Sequence, residues 1–405
     1  MKKILYLLAA ITIGTAAVTS CSDDDFTESI FDTTEYPLDR TISTFPLDTF
    51  VKKNFLEPYN LQFIYKLEDK GLTSSDMAKN LTPASYDKCV KLAVLSKYLW
   101  YDVYLKYAGL DFLKQYSPRI IHVIGSKSLN TSSGTETLGT AEGGLKITLY
   151  NVNNLYEDDI TTMNEYFFKT MHHEFGHILD QSHLRPTAFN TISNSHYDAS
   201  GWGTMPDSVT AGLGFVSPYA SSAAGEDWVE TLANYVTLDS VSWERLLGAA
   251  DYEWEQVDVE SYSAYAKLLS PGCNLDTIGY FNDHIQSSEY KIYRRVCKRN
   301  ADGTVALDAD GNVQWTHDTG IDGRATIMKK IEMVREWLKT YFDTDLDDLR
   351  TEVQKRTYVT NADGTFYMPQ GKLVNRLTYP TASGVTVMDS LLNEVNAYKS
   401  LMPQQ

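Results

Sequence analysis

The chain has 405 residues, with 36 Lys and Arg against 53 Asp and Glu and a formal charge of −17. So acidic a balance excludes the basic face that nucleic-acid binding needs and describes a soluble, self-repelling body. The length suffices for one large or two ordinary domains with an ample core, and beyond Cys21 only three cysteines remain, an odd number that does not indicate a disulfide framework.

Lys2 and Lys3 precede an apolar run from Ile4 to Val18, which closes on Val18-Thr19-Ser20-Cys21. The run is short for a membrane span and has the order of a secretory signal. Val-Thr-Ser-Cys fits a bacterial lipobox, so residues 1–20 are expected to be removed and Cys21 to carry lipid. Losing Lys2 and Lys3 takes the basic residues from 36 to 34 against 53 acidic ones, a balance of −19. The acidic run Ser22-Asp23-Asp24-Asp25 resembles the surface-export signal of Bacteroidetes lipoproteins. The expected location is the outer membrane, facing the cell surface, with the periplasmic face as the alternative. Residues 21–46 read as a flexible acidic tether.

Residues 47–405 read as a single folded unit. Its expected parts are an α/β part at about 47–156, a two-helix part at about 157–285, a hairpin insertion at about 286–320, and C-terminal helices and tail at about 321–405. A short helix is expected over Leu47 to Leu56, a strand over Leu61–Tyr65 and a long helix from Pro83 to Tyr107. Strand patterns follow at Ile120–Ile124 and Leu145–Tyr150, separated by a Ser/Thr/Gly-rich stretch, Ser126–Gly144, read as a loop. Leu145–Tyr150 is expected at the sheet edge, where an extended peptide can pair with it.

Asp158 to Gln181 reads as a helix: it contains no proline, starts on acidic residues, and repeats Met163, Phe167, Met171, Ile178 and Leu179 at helical spacing. Inside it His173 to His177 spell HEFGH, an instance of HExxH. Two histidines four apart project from one helix face and reach a single ion, while Glu174 sits beside them as a base for a metal-held water. Five of the eight histidines fall in 172–196, and His172 and His196 are read as neighbours rather than ligands.

Catalytic zinc takes three protein ligands. One candidate for the third is Glu226 in Gly225-Glu226-Asp227-Trp228-Val229-Glu230, read as the start of a second helix. Glu230 lies one turn on and points the same way, suited to accept the free N–H of a ligating histidine. The other candidate is His183, because HEFGHILDQSH has the length of the metzincin pattern HExxHxxGxxH, with Asp180 where glycine normally turns the chain. Glu226 is preferred because the His183 reading leaves the Glu226/Glu230 pair unexplained. Ser182–Ala224 between the two helices is loop-like, and in it Tyr219 offers a phenol that either packs or donates to an oxyanion.

Further on, Asp302-Gly303 and Asp310-Gly311 mark turns of an inserted β-hairpin. Asp308, Asp310 and Asn312 lack the glycine placement and closing Glu of a calcium loop. Ala325 to Phe342 is an amphipathic helix, Leu346–Val353 another, and the turn at Asp363-Gly364 begins a poorly defined tail. Besides Cys21 there are Cys89, Cys273 and Cys297, which leave one bridge, Cys273 to Cys297, open.

The residues HEFGHILDQ at 173–181, Phe189-Asn190-Thr191-Ile192-Ser193 with Tyr197 and Trp202, GFVSPYA at 214–220, GEDWVETLANYV at 225–236, and the stretch from Lys330 to Arg350 resemble one family. It is that of the putative zinc-binding metallopeptidases of Bacteroidetes, also described as substrate-import-associated zinc metallohydrolase lipoproteins. The resemblance implies an α+β zincin-like metalloprotease fold, with a mixed sheet packed on an active-site helix and a largely helical C-terminal part. It implies a gluzincin-type site with one zinc per chain on His173, His177 and Glu226, and Glu174 as base. A tyrosine seven residues before the third ligand is similar to the lethal-factor-like zincins and supports Tyr219. The expected function is a surface-anchored zinc metallopeptidase acting on peptides or glycopeptides. The alternative is a weakly active or inactive accessory binding lipoprotein of a TonB-dependent nutrient import system.

Overall fold

The structure is a computed structural model and describes residues 38–67, 72, 74–77, 79–129, 136–142, 145–257, 277–279, 292–316 and 318–404. The expected signal peptide, Cys21, the tether up to residue 37 and Cys273 lie outside the described residues, as do parts of 126–144 and 286–320. Cys89 is buried and Cys297 half-buried, both as free thiols. No helix among the described residues is long and apolar enough to cross a membrane.

Helix α1 (Phe45–Val51) starts two residues ahead of expectation, with Pro46 in its first turn, where the missing N–H costs nothing. It runs on through Lys52–Leu56 and Glu57–Tyr59 to strand β1 (Gln62–Ile64). Helix α2 (Tyr86–Ser96) continues through Lys97–Tyr101 and Asp102–Tyr107, as the sequence predicts, but begins after Pro83. Strands β2 (Ile120–Val123), β3 (Gly139–Glu142) and β4 (Lys146–Leu149) complete a mixed sheet of order β1-β2-β4-β3, in which only β3 runs antiparallel to its neighbour. The expected edge strand is therefore interior. It pairs with β2 on one side and β3 on the other, successive residues Ile147, Thr148 and Leu149 are all buried because both its faces are covered, and β3 forms the edge from the stretch read as loop. Gly139-Thr140-Ala141-Glu142 has no β-branched or aromatic run to announce it.

The motif helix is continuous: Ile160–Met163 and a π-turn, Asn164–Phe168, lead into α3 (Lys169–Ser182). Asp159 caps its start by accepting the Thr162 N–H at 3.0 Å. Met171, Phe175 and Leu179 bury the back face, where Phe175 meets Trp100 and Tyr104 at ring distances of 4.8 and 5.1 Å. On another side β3 lies across α3, and a Cβ on Gly139 would stand 2.3 Å from the Thr170 methyl.

The Ser182–Ala224 segment is not loop throughout; it contains the short helices Phe189–Ile192 and Asp207–Gly212. Helix α4 (Ala224–Thr237) then passes through the centre of the molecule, with Trp228 between Phe189 and Trp337 at 4.8 and 5.2 Å. Its last carbonyls would be orphaned there. Gln354 Nε2 donates to Val236, Thr237 and Leu238 at 3.0, 3.2 and 3.3 Å instead. Asp239 caps the next helix, α5 (Ser240–Ala250), by accepting from the Val241 and Ser242 N–H groups.

Strand β5 (Trp254–Val257) pairs antiparallel with β7 (Ile292–Arg295), itself paired with β6 (Thr277–Gly279). Two turns follow at Gly303 and Gly311, with φ of +85° and +84°. Helices α6 (Gly323–Phe342) and α7 (Leu346–Thr357) match the expected pair. The tail is ordered, contrary to expectation: α8 (Val387–Asn396) opens on a Thr386/Asp389 capping box and buries Met388, Leu391 and Val395 against α1 and α2. The mixed sheet on the motif helix and the helical C-terminal part give the α+β class that the sequence implies.

Gly214, at the head of the GFVSPYA segment, has φ +85°, and a Cβ there would lie 2.4 Å from Thr326 of α6. Gly214→Ala is expected to cost at least about 2 kcal/mol, combining left-handed strain with overpacking. Gly364 shares the φ of +85° but faces open space. Gly364→Ala should therefore cost less, and equal denaturation midpoints for the two variants would contradict the packing argument.

Candidate metal centre

Helix α3 presents His173 and His177 one turn apart, and α4 presents Glu226 and Glu230 one turn apart. They meet because the helices touch at Gly176, where a Cβ would stand 2.9 Å from Val229 Cγ1. Glu226 Oε2 lies 3.2 Å from His173 Nε2 and 3.3 Å from His177 Nε2. On the other side of the same ring, His173 Nδ1 donates to Glu230 Oε1 at 2.8 Å. A proton held on Nδ1 leaves the Nε2 lone pair directed at the cluster. The remaining Glu230 oxygen accepts Ser217 Oγ at 2.6 Å and Asn234 Nδ2 at 3.0 Å, with Lys169 Nζ at 3.8 Å.

This donor set fits a metal ion. The ligand atoms of His173, His177 and Glu226 all lie within 4.8 Å of one another, and no other His, Cys, Asp or Glu joins them among the described residues. Donors about 2.0–2.1 Å from a tetrahedral centre stand about 3.3 Å apart, which the two carboxylate–imidazole distances match. Two imidazole nitrogens with one carboxylate oxygen suit zinc. The His177 and Glu226 side chains are 24% and 25% exposed, so the cluster opens toward solvent on the side where a fourth donor would enter.

Electrostatics describe the same pocket. Burial alone would lower the pKa of His173, but its contacts with Glu226 and Glu230 push it up to about 10 in the metal-free cluster. Burial raises Glu226 too, yet the two imidazoles bring it well below the usual carboxylate range. Glu230 likewise falls below that range, because the charge of Lys169 and the His173 contact outweigh its burial. For Glu174 the balance is reversed: burial, with the charges of Glu226 and Glu230, outweighs the pull of His173 and His177 and holds its carboxyl above the ordinary value.

Tyr219 is packed, but against the centre itself. Its ring lies over His173 at 5.8 Å and 27°, and Trp202 meets it edge-on at 4.8 Å. Burial, then the Glu226 charge, raises its pKa. His183 is elsewhere: its ring stacks on Tyr341 at 4.8 Å, and its carbonyl accepts from Trp337 Nε1 at 2.9 Å. The sharp turn that would bring His183 round does not form. Asp180 stays helical and instead binds the Arg185 N–H at 2.7 Å and the Arg185 guanidinium. His172 points into the core, 3.0 Å from Tyr104 Oη, and His196 lies in a short surface turn. Ser217, Asn234 and Lys169 were given no role from sequence, and Trp202 entered only as part of the family resemblance. Only Asn234 carried a signal, its four-residue spacing from Glu230.

A family model described as "Putative zinc-binding metallo-peptidase" matches residues 40–347. A crystal structure of a putative zinc-binding metallo-peptidase from Bacteroides caccae is similar at 31% identity and a TM-score of 0.52, over 77% of this chain and 91% of that one. No curated protein matches the chain significantly.

Burial lowers the pKa of His172 from 6.5 to about 3. The unfolded chain therefore takes up a proton that the folded chain refuses, so this group's contribution is complete above pH 6.5 and lost as pH falls toward 3. Between pH 7 and 5, metal-free wild type should lose about 2 kcal/mol more than His172→Phe. Parallel urea midpoints for the two proteins would contradict this.

Proposed function

The chain belongs to the putative zinc-binding metallo-peptidase family, and from that premise we propose that it is a zinc-dependent peptidase whose ion is held by His173, His177 and Glu226. The observation that carries this reading is the convergence of those three side chains, with Glu174 on the adjoining face of α3. Zinc bound there supplies Lewis acidity, lowering the pKa of a water toward about 7 and polarising a carbonyl. Glu174 takes the proton of the attacking water on its carboxylate and delivers it to the departing amine nitrogen. Its raised pKa suits a group that must hold a proton between the two transfers. Tyr219 Oη donates to the carbonyl oxygen as negative charge grows there. Glu230 keeps the Nδ1 proton of His173 in place, and the edge strand β3, which runs over α3, offers its backbone to an extended peptide.

The rest of the reading concerns location. Cys21 carries lipid and anchors the enzyme in the outer membrane, facing outward through the acidic tether, beside a TonB-dependent import system that takes up the cleaved peptides or glycopeptides. The lipobox and the acidic run that follows it support this.

Glu174→Gln is expected to keep one zinc per chain while peptide-library turnover falls roughly 10²- to 10⁴-fold. Metal content should collapse in Glu226→Ala and survive in His183→Ala; the reverse pattern would sink the ligand assignment. Zinc-loaded wild type that cleaves nothing would favour the accessory binding role. For the anchor, Cys21→Ser should move the protein out of the membrane fraction, and protease treatment of intact cells should remove wild type. Wild type that resists such treatment faces the periplasm.

A further inference from the structure

Lys330, in the middle of α6, is completely buried although it is a lysine on a helix whose pattern is amphipathic. Its Nζ lies 2.6 Å from Asp227 Oδ2, donates to the Gly214 carbonyl at 2.8 Å, and sits 4.1 Å above the Phe215 ring. The same Asp227 oxygen accepts Tyr197 Oη at 2.8 Å. Burying two charges is costly, and the arrangement persists only because each has partners of opposite character.

What Lys330 joins is more informative than its burial. Asp227 follows Glu226 on α4, so holding its carboxylate fixes the rotation of the first turn of α4 and hence the direction of Glu226. Gly214 opens the segment that carries Ser217, which donates to Glu230, and Tyr219, which covers His173. Tyr197 belongs to the stretch leading to Trp202, the outer neighbour of Tyr219. One ammonium thus ties together the three segments that build the centre on the side away from α3.

We infer that Lys330 is a positioning residue of the metal centre: from α6 it sets both the direction of Glu226 and the placement of the Ser217–Tyr219 segment. It touches neither the ion nor any of its three donors. This rests on the ligand assignment proposed above. It predicts that metal affinity, and not only global stability, depends on a residue outside the donor set.

The test is zinc affinity by chelator competition, at a temperature where circular dichroism shows each metal-free protein fully folded. Under that condition a loss of global stability alone leaves affinity unchanged. Three variants are compared with wild type: Lys330→Met, Lys330→Met with Asp227→Asn, and Tyr197→Phe. Lys330→Met should bind zinc about 10- to 100-fold more weakly, the usual loss when a partner behind the ligands is removed. The double variant leaves no unpaired buried charge, so its melting temperature should recover while its affinity stays low. Tyr197→Phe removes one hydrogen bond and no charge, and should show a smaller fall, up to about 10-fold. If Lys330→Met does not fold, the other two variants decide. Unchanged affinity in the folded variants, or affinity that recovers together with melting temperature in the double variant, overturns the inference and leaves the ligand assignment standing. Wild type that binds no zinc overturns both.

Discussion

The site depends on one close contact between two helices. Gly176 of α3 lies against Val229 of α4 with no room for a side chain between them, and that approach brings Glu226 and Glu230 to the two nitrogens of His173. A glycine inside a helix costs about 1 kcal/mol relative to alanine. Here the loss is offset by a packing arrangement that no larger residue permits. The spacing of four within each helix then does the rest, because one turn of α3 matches one turn of α4.

Three carboxylates and two imidazoles crowd into this pocket, and each charge is handled differently. Glu226 faces both imidazoles, Glu230 is held by Ser217, Asn234 and the more distant Lys169, and in Glu174 burial outweighs the pull of the imidazoles. A divalent cation neutralises such a cluster. Asp227, the residue between these carboxylates in sequence, points away from them and pairs with Lys330 instead. The ligand helix therefore divides its acidic groups between two faces about 100° apart, one turned to the metal centre and the other to α6. That division explains why a helix so rich in carboxylates can run through the core.

Much of this was legible in the sequence where periodicity and chemistry coincide. The motif helix declared itself through apolar residues at helical spacing behind His173 and His177, and the second helix through the paired Glu226 and Glu230. What escaped were features set by partners distant in sequence. Strand β3 is made of small and polar residues and owes its place to pairing with β4 and to the contact of Gly139 with Thr170. Lys330 reads as a solvated helix position until Asp227 and Gly214 are brought to it. His183 has the right distance along the chain, but α3 carries on through Asp180, so the ring ends beside Tyr341. The tail was misread despite a visible signal, since Thr386 and Asp389 have the spacing of a capping box.

The most direct measurement is diffraction from crystals of the zinc-loaded chain, with anomalous data collected on either side of the zinc absorption edge. The account predicts a single strong peak about 2.0–2.2 Å from His173 Nε2, His177 Nε2 and a Glu226 carboxylate oxygen, with solvent at the remaining position. A peak coordinated by His183, a fourth position occupied by a side chain of the protein, or no peak at this cluster would contradict it.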